Sequence, residues 1–375
     1  MGTGDCTHPL WLAELKQKLK ATPEGLYEHN GVRFLLTTEV NNYFTVGGKS
    51  KRIHNLLFLP SIEAAEALNR ALSRYGDLSS DGRPALSLSA RDLVKIALDV
   101  SPDILIVPAH AWTPHFSIFG SNSGFDTVEE CFQDQSKEIF CLETGLSSDP
   151  AMNWRLSRLD RYTLISNSDS HSATRIGREA NVFECKTISY GEVVEILRAK
   201  DPQRFLYTIE FFPEEGKYHF DGHRACRARI SPEEALNHGN RCPVCGRKVT
   251  IGVMHRVRDL ADRPEGYQMA RGIPFKRLVP LDQIIADARG VGVGSKTVSE
   301  EYLDLVQRVG PELEILVDLP EEALRKQLPP KVAEGILRVR LGQVEILPGY
   351  DGEYGEVKIF GEREPQAGEK QLTLF

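Results

Sequence analysis

The chain has 375 residues, 41% apolar and 26% charged, which is enough to bury two or three separate cores and too apolar for a disordered chain. No apolar run approaches the roughly 18 residues of a membrane helix, and Met1-Gly2-Thr3-Gly4-Asp5 lacks the basic and apolar regions of a secretory signal. The 46 Lys and Arg against 53 Asp and Glu give a net charge of -7, so the surface as a whole does not attract nucleic acid, although a local basic patch is compatible with it. Seven unevenly spread cysteines argue for a reducing cytosol and against a disulfide framework.

Short apolar runs alternate with helical patterns over residues 1–210, which predicts an α/β domain with a parallel sheet, as a barrel or an open sheet. Val32–Thr38 and Leu56–Leu59 read as strands. Ser61–Tyr75 carries apolar residues at helical spacing, and Ser89 is a suitable N-cap for a second helix. Ile104–Val107 reads as a buried strand closed by Pro108, and Glu138–Leu142 and Thr163–Ile165 repeat the pattern. A polar residue able to bind metal follows each of four runs: Glu39, His110, Glu143, and Asp169 with His171. Loops at the C-terminal strand ends build the active sites of α/β barrels. Asp169-x-His171 offers one hard and one borderline ligand on one face. With Glu39, His54, His110 and Asp5-x2-His8, two or more divalent ions could be held.

Composition changes near Glu214. Residues 217–260 hold nine Lys and Arg against four Asp and Glu, with His223-x2-Cys226 and Cys242-x2-Cys245 inside the stretch. Two pairs of soft ligands with two-residue spacers suit tetrahedral, structural zinc. His219 or His255 could replace His223 as the fourth ligand. From Pro280 to about Val344 the chain reads helical, broken at Gly290-Val291-Gly292-Val293-Gly294. The spacing to Lys296 is wrong for a phosphate-binding loop, so no nucleotide cofactor is expected. A helix-hairpin-helix or a plain glycine-rich connection both fit. After a polar stretch at 361–370, the chain ends apolar, in Gln371-Leu372-Thr373-Leu374-Phe375.

Gly2-Thr3-Gly4-Asp5-Cys6-Thr7-His8-Pro9, Thr38-Glu39-Val40, His54-Asn55, Pro108-Ala109-His110-Ala111-Trp112 and Ser168-Asp169-Ser170-His171-Ser172 resemble the motifs of the PHP (polymerase and histidinol phosphatase) superfamily. The stretch from Glu214 to Cys226, Cys242-Pro243-Val244-Cys245-Gly246-Arg247, and Pro348-Gly349-Tyr350-Asp351-Gly352 resemble endonuclease Q within it. The resemblance spans essentially the whole chain. It implies a distorted (β/α)7 barrel over 1–210, a zinc-binding module over 211–260, a mainly helical DNA-contacting region over 261–360, and a tail over 361–375. The family opens with a strand carrying His-x-His. That strand is missing here, so a late start site or a genuine short form is expected.

The resemblance further implies a cytoplasmic, nucleoid-associated DNA-repair endonuclease. It would incise 5′ to uracil, hypoxanthine, xanthine or an abasic site by metal-assisted hydrolysis. His8, Glu39, His54, His110, Asp169 and His171 fall at family metal positions, with Glu39, His110, Asp169 and His171 the principal catalytic ligands. Zinc, magnesium or manganese could occupy them. A flipped nucleotide needs amide groups and an aromatic face, which Asn41, Tyr43, Trp112 and Asn167 could offer. Arg224, Arg227, Arg247 and Lys248 are candidate phosphate contacts. The last five residues resemble the bacterial β sliding clamp-binding pentapeptide, with Gln371, Leu372, Leu374 and Phe375 as anchors. Two rival readings are a PHP phosphatase acting on small phosphate esters and a non-catalytic DNA and clamp adaptor.

Overall fold

A computed structural model describes residues 1–80 and 82–361; the tail motif at 371–375 lies outside the described residues. The fold is mixed α/β. Its central feature is a long hairpin, β1 (Leu36–Val46) and β2 (Lys49–Leu59), paired in register from Leu36–Leu59 to Val46–Lys49. Gly47 and Gly48 make the two-residue turn at φ +56° and +77°, the left-handed pair that a tight hairpin requires. Short β3 (Ala85–Leu86) pairs parallel to β1, and β4 (Leu105–Pro108) pairs antiparallel to β2.

Helices α1 (Pro9–Lys18), α2 (Ile62–Leu72) and α3 (Ala90–Val100) belong with this sheet, and its buried positions, such as Leu36, Val40, Ile53 and Leu57, join Leu68 and Leu93 in the largest core. Serine caps start α2 and α3, with Ser61 accepting from Ala64 N–H and Ser89 from Asp92 N–H. β5 (Cys141–Glu143) and β6 (Thr163–Ile165) form a parallel pair. β7 (Ala180–Phe183), β8 (Phe205–Glu210) and β11 (Phe275–Arg277) form a third sheet, antiparallel then parallel. α4 (Tyr190–Ala199) packs Val193, Val194 and Leu197 in the core that also holds Phe205 of β8.

The α/β class holds, but the parallel sheet read from strand–helix alternation is only partly present. The long hairpin and β4 pair antiparallel, and the strands fall into separate sheets among the described residues. The run Val32–Thr38 is split: Val32–Phe34 belongs to a small meander, and Leu36 starts β1. Glu39 therefore lies inside a strand rather than after one. A 3-10 turn at Gln133–Glu138 delays the strand expected at Glu138–Leu142 to Cys141–Glu143.

In the basic stretch, β9 (Asp221–His223) and β10 (Ala228–Ile230) form a hairpin followed by α5 (Pro232–Asn237). Its core is Ile230, Ala235, Cys242 and Val249. α6 (Val253–Leu260) leaves that module and buries Val253 and Val257 in the main core. Further on, α7 (Leu281–Arg289) ends at Gly290, φ +66°, and Ser295 caps α8 (Lys296–Arg308). With α9 (Glu321–Gln327) and α10 (Pro330–Arg340) these build a second core around Ile284, Leu305, Leu324 and Ile336, which Ile209 of β8 and Phe212 join. No helix among the described residues is long and apolar enough to cross a membrane.

His219 is buried and its Nδ1 has no hydrogen-bond partner among the described residues. Burial, with Arg277 adding repulsion, pushes its imidazole down to about 4. The unfolded chain therefore binds a proton near pH 6.5 that the folded chain refuses until about pH 4. The stabilisation is complete above pH 6.5 and is lost as pH falls from there to about 4, on the order of 3 kcal/mol. Urea unfolding of His219→Gln at pH 7 and pH 5 is expected to show a smaller loss between the two pH values than the parent chain shows.

Candidate functional site

The hairpin and β4 bring three ligand-type side chains to one point. Glu39 Oε1 lies 2.8 Å from His54 Nδ1 and 3.3 Å from His110 Nε2, and the two imidazole nitrogens are 3.1 Å apart. Neighbouring ligands of one tetrahedral ion at roughly 2.1 Å are separated by about 3.4 Å. The donor set, two imidazoles and a carboxylate, suits a catalytic divalent ion, so residues and spacing fit a metal. Burial opposes the Glu39 charge, but hydrogen bonds from His110 and His54 outweigh it and hold the carboxyl well below its usual range. Burial also lowers His54, whereas in His110 the Glu39 carboxylate overcomes burial and lifts the imidazole above its ordinary value.

Local backbone explains how His110 is aimed. It has φ +30°, and its N–H donates to Glu143 Oε2 at 2.7 Å. Asn167 donates to the other Glu143 oxygen at 2.8 Å, and burial pushes that carboxyl up to about 7. Gly145, at φ +60°, lies directly against His110: a Cβ there would stand 2.6 Å from the His110 Cβ. Gly145→Ala is expected to cost about 1–3 kcal/mol and to displace His110. Thermal melting and divalent-metal titration of the variant check both effects.

Arg83, which the sequence did not mark, closes the cluster. One Nη1 lies 3.3 Å from Glu39 Oε1 and 3.3 Å from His54 Nδ1, and Nη2 lies 3.4 Å from His171 Nε2. His171 is exposed, and its Nδ1 lies 2.9 Å from the Asp169 carbonyl oxygen. Asp169 takes φ +41°, a left-handed conformation uncommon away from glycine. Asp5 is raised by burial and then by Glu39, and His8, Arg83 and His171 pull it back, so Asp5 shares the field of the cluster. His8 caps α1, its Nδ1 accepting from Trp11 N–H and its Nε2 lying 3.1 Å from the Ser79 carbonyl oxygen. The structure thus joins Glu39, His54 and His110 tightly, with His171 linked to them through Arg83 and Asp169 in the field of His110, whereas both ring nitrogens of His8 are engaged elsewhere.

The base-contact candidates fare unevenly. Trp112 is 1% exposed, packs on Phe119 and donates to Asn153 Oδ1 at 2.8 Å, so it offers no face to a ligand. Asn167 is committed to Glu143 and Asn181. Asn41 is half-buried, and Tyr43 is exposed with Arg52 over its ring. No sequence pattern signals a pocket of about 200 Å3 lined by Ser50, Arg52, His115, Phe116, Asn122 and Ser123. The Phe116 ring stacks on His54, with centroids 5.0 Å apart.

His223, Cys226, Cys242 and Cys245 converge as a second ligand group, with His223 Nδ1 3.6 Å from Cys245 Sγ. The two alternatives for the fourth position are elsewhere occupied or buried: His255 Nδ1 lies 2.5 Å from Asp221 Oδ2, and His219 stacks on Phe220. Arg224, Arg227, Arg247 and Lys248 are all exposed around this group.

Comparison with known proteins places this geometry. The lesion-specific endonuclease PfuEndoQ from Pyrococcus furiosus superposes with a TM-score of 0.85 at 30% identity, over 99% of this chain and 90% of that one. Endonuclease Q in complex with a 27-mer duplex bearing an abasic lesion at the active site gives 0.82 at 32% identity, over 98% and 90%. The chain belongs to the endonuclease Q family. Endonuclease Q cleaves DNA, and this member is accordingly an enzyme. Residues 280–343, the helical unit, match the family described as the MJ0043 C-terminal domain. The uncharacterized protein YqxK of Bacillus subtilis is 28% identical over 372 residues, 96% of this chain and 88% of its own. Protein MJ0043 of Methanocaldococcus jannaschii is 32% identical over 254 residues, 67% of this chain and 31% of its own length.

Proposed function

We propose that this endonuclease Q hydrolyses the phosphodiester on the 5′ side of a deaminated base or abasic site in DNA. The observation that carries the reading is the convergence of Glu39, His54 and His110 within 3.3 Å, in a chain that matches a lesion-specific endonuclease over its full length. Asp169 and His171 would complete the ligand field, a multi-metal arrangement in which zinc, manganese or magnesium would serve. A divalent ion there supplies a Lewis acid for the phosphoryl oxygen and acidifies the attacking water.

The chain's own groups do the rest. Arg83 presents a guanidinium beside the cluster, 28% exposed, and would pair with the scissile phosphate. The pocket lined by Phe116 is of nucleobase size, with Asn122, whose Nδ2 lies 3.1 Å from His115 Nε2, and with Arg52, which suits a base flipped out of the duplex. It takes the place of the buried Trp112 in this reading. The Cys3His group would hold structural zinc and so fix the basic hairpin against DNA phosphates. The division into a catalytic unit over 1–210, a zinc module over 211–260 and a DNA-contacting helical region over 261–360 belongs to the same reading, as does β sliding clamp binding by Gln371, Leu372, Leu374 and Phe375.

End-labelled duplexes carrying one uracil, hypoxanthine, xanthine or abasic site, and an undamaged control, test the proposal in Mn2+, Mg2+ or Zn2+. The expected product is one cut immediately 5′ to the lesion, leaving a 3′-hydroxyl. Equal cutting of undamaged DNA, or release of phosphate from small esters without incision, would overturn it.

A further inference from the structure

The loop that carries Asp169 and His171 does not stand alone. Arg178 closes a fork on its base, with Nε and Nη2 donating to the Ser168 carbonyl at 3.0 and 2.9 Å. That carbonyl immediately precedes Asp169, whose left-handed backbone needs external support. Asn181 of β7 grips the residue two before it, accepting from Ser166 N–H at 2.9 Å and donating to the Ser166 carbonyl at 2.7 Å.

The far side of the loop rests on the helical unit. Arg175 Nη1 meets the Asp282 carboxylate of α7 at 3.3 Å. Ile176, Gly177 and Arg178 line a cleft of about 270 Å3 with Leu278, Leu313 and Leu316. One short segment thus touches the helical unit with Arg175 and holds the metal-site backbone with Arg178.

We propose that Arg178 and the Arg175–Asp282 pair are positioning residues that hold Asp169 and His171 in ligand geometry, so that the helical unit governs the metal site through the loop 168–178. The inference rests on the assignment of Asp169 and His171 as ligands given above. Arg178 acts on the backbone before Asp169, and Asp282 fixes the segment from which Arg178 projects. Partners that orient ligands from outside the coordination shell typically contribute 10–100-fold to metal affinity or activity.

The test is Mn2+ affinity of the full chain without DNA, read from the electron paramagnetic resonance signal of free Mn2+, beside duplex affinity in EDTA and melting temperature. Arg178→Ala and Arg178→Lys are both expected to weaken Mn2+ binding about 10-fold or more, because lysine keeps the charge but not the fork. Arg175→Asp and Asp282→Arg should each weaken it, and the double swap should restore it. Parent-like Mn2+ affinity in the Arg178 variants, or a double swap no better than either single change, would overturn the proposal. Parent-like Mn2+ affinity in His171→Ala would instead overturn the ligand assignment beneath it, and a parent chain that binds Mn2+ without cutting any lesion would overturn only the nuclease reading.

Discussion

Glu39→Ala is expected to reduce incision by about 10^3-fold or more, equivalent to about 4 kcal/mol of transition-state stabilisation. The reason is geometric. Glu39 Oε1 is the point on which His54, His110 and Arg83 converge, so its removal takes away a ligand and leaves three nitrogen groups facing one another without a compensating negative charge. His110, which Glu39 lifts above its ordinary value, would fall back under its burial. Glu39→Gln keeps the shape but not the charge and should lose nearly as much. Single-turnover incision with protein in excess separates this from weaker binding, because duplex affinity in EDTA should not change. A variant that cut within tenfold of the parent rate would remove Glu39 from the chemistry.

Cys242→Ser should act through DNA binding rather than through the cluster. Cys242 is both one of the four converging ligand-type side chains and one of the four buried core residues of this stretch, and a structural zinc site of the proposed type contributes folding energy directly. The variant is expected to lose one equivalent of zinc by elemental analysis and to release the hairpin that carries Arg224, Arg227 and the turn with Arg247 and Lys248. For every DNA phosphate that these side chains no longer neutralise, the slope of log affinity against log salt should become shallower by roughly 0.9. Duplex affinity should fall by about 10-fold or more at 0.15 M salt. Apart from Val253 and Val257 of α6, the main core is built from elements outside this stretch, so the principal melting transition should remain.

The chemistry of the site was more legible in the sequence than its architecture. The spacing of Cys226, Cys242 and Cys245 suggests a tetrahedral site, but spacing left His223, His219 and His255 open as the fourth member, and the fold brings His223 to the three cysteines. Glu39, His54 and His110 are recognisable as residue types within motifs. The apolar runs that carry them do not reveal strand direction, since a short buried run reads alike in parallel and antiparallel sheets. Gly47-Gly48 is a hairpin signal that the reading of alternating strands and helices passed over, and the hairpin it makes departs from the parallel layout. Trp112 lies next to a cluster histidine in sequence yet faces the core, because neighbouring residues leave the backbone in different directions. Arg83 and Arg178 belong to no pattern: their roles arise from loops that only the folded chain brings to Glu39 and Ser168.

The most direct test of the account is diffraction at the manganese edge from crystals of the full chain grown with Mn2+ and shown to incise a uracil duplex when dissolved. The account predicts an anomalous peak at roughly 2.1 Å from Glu39 Oε1, His54 Nδ1 and His110 Nε2. Incision-competent protein with no peak at these three atoms, and with manganese bound elsewhere, would contradict it.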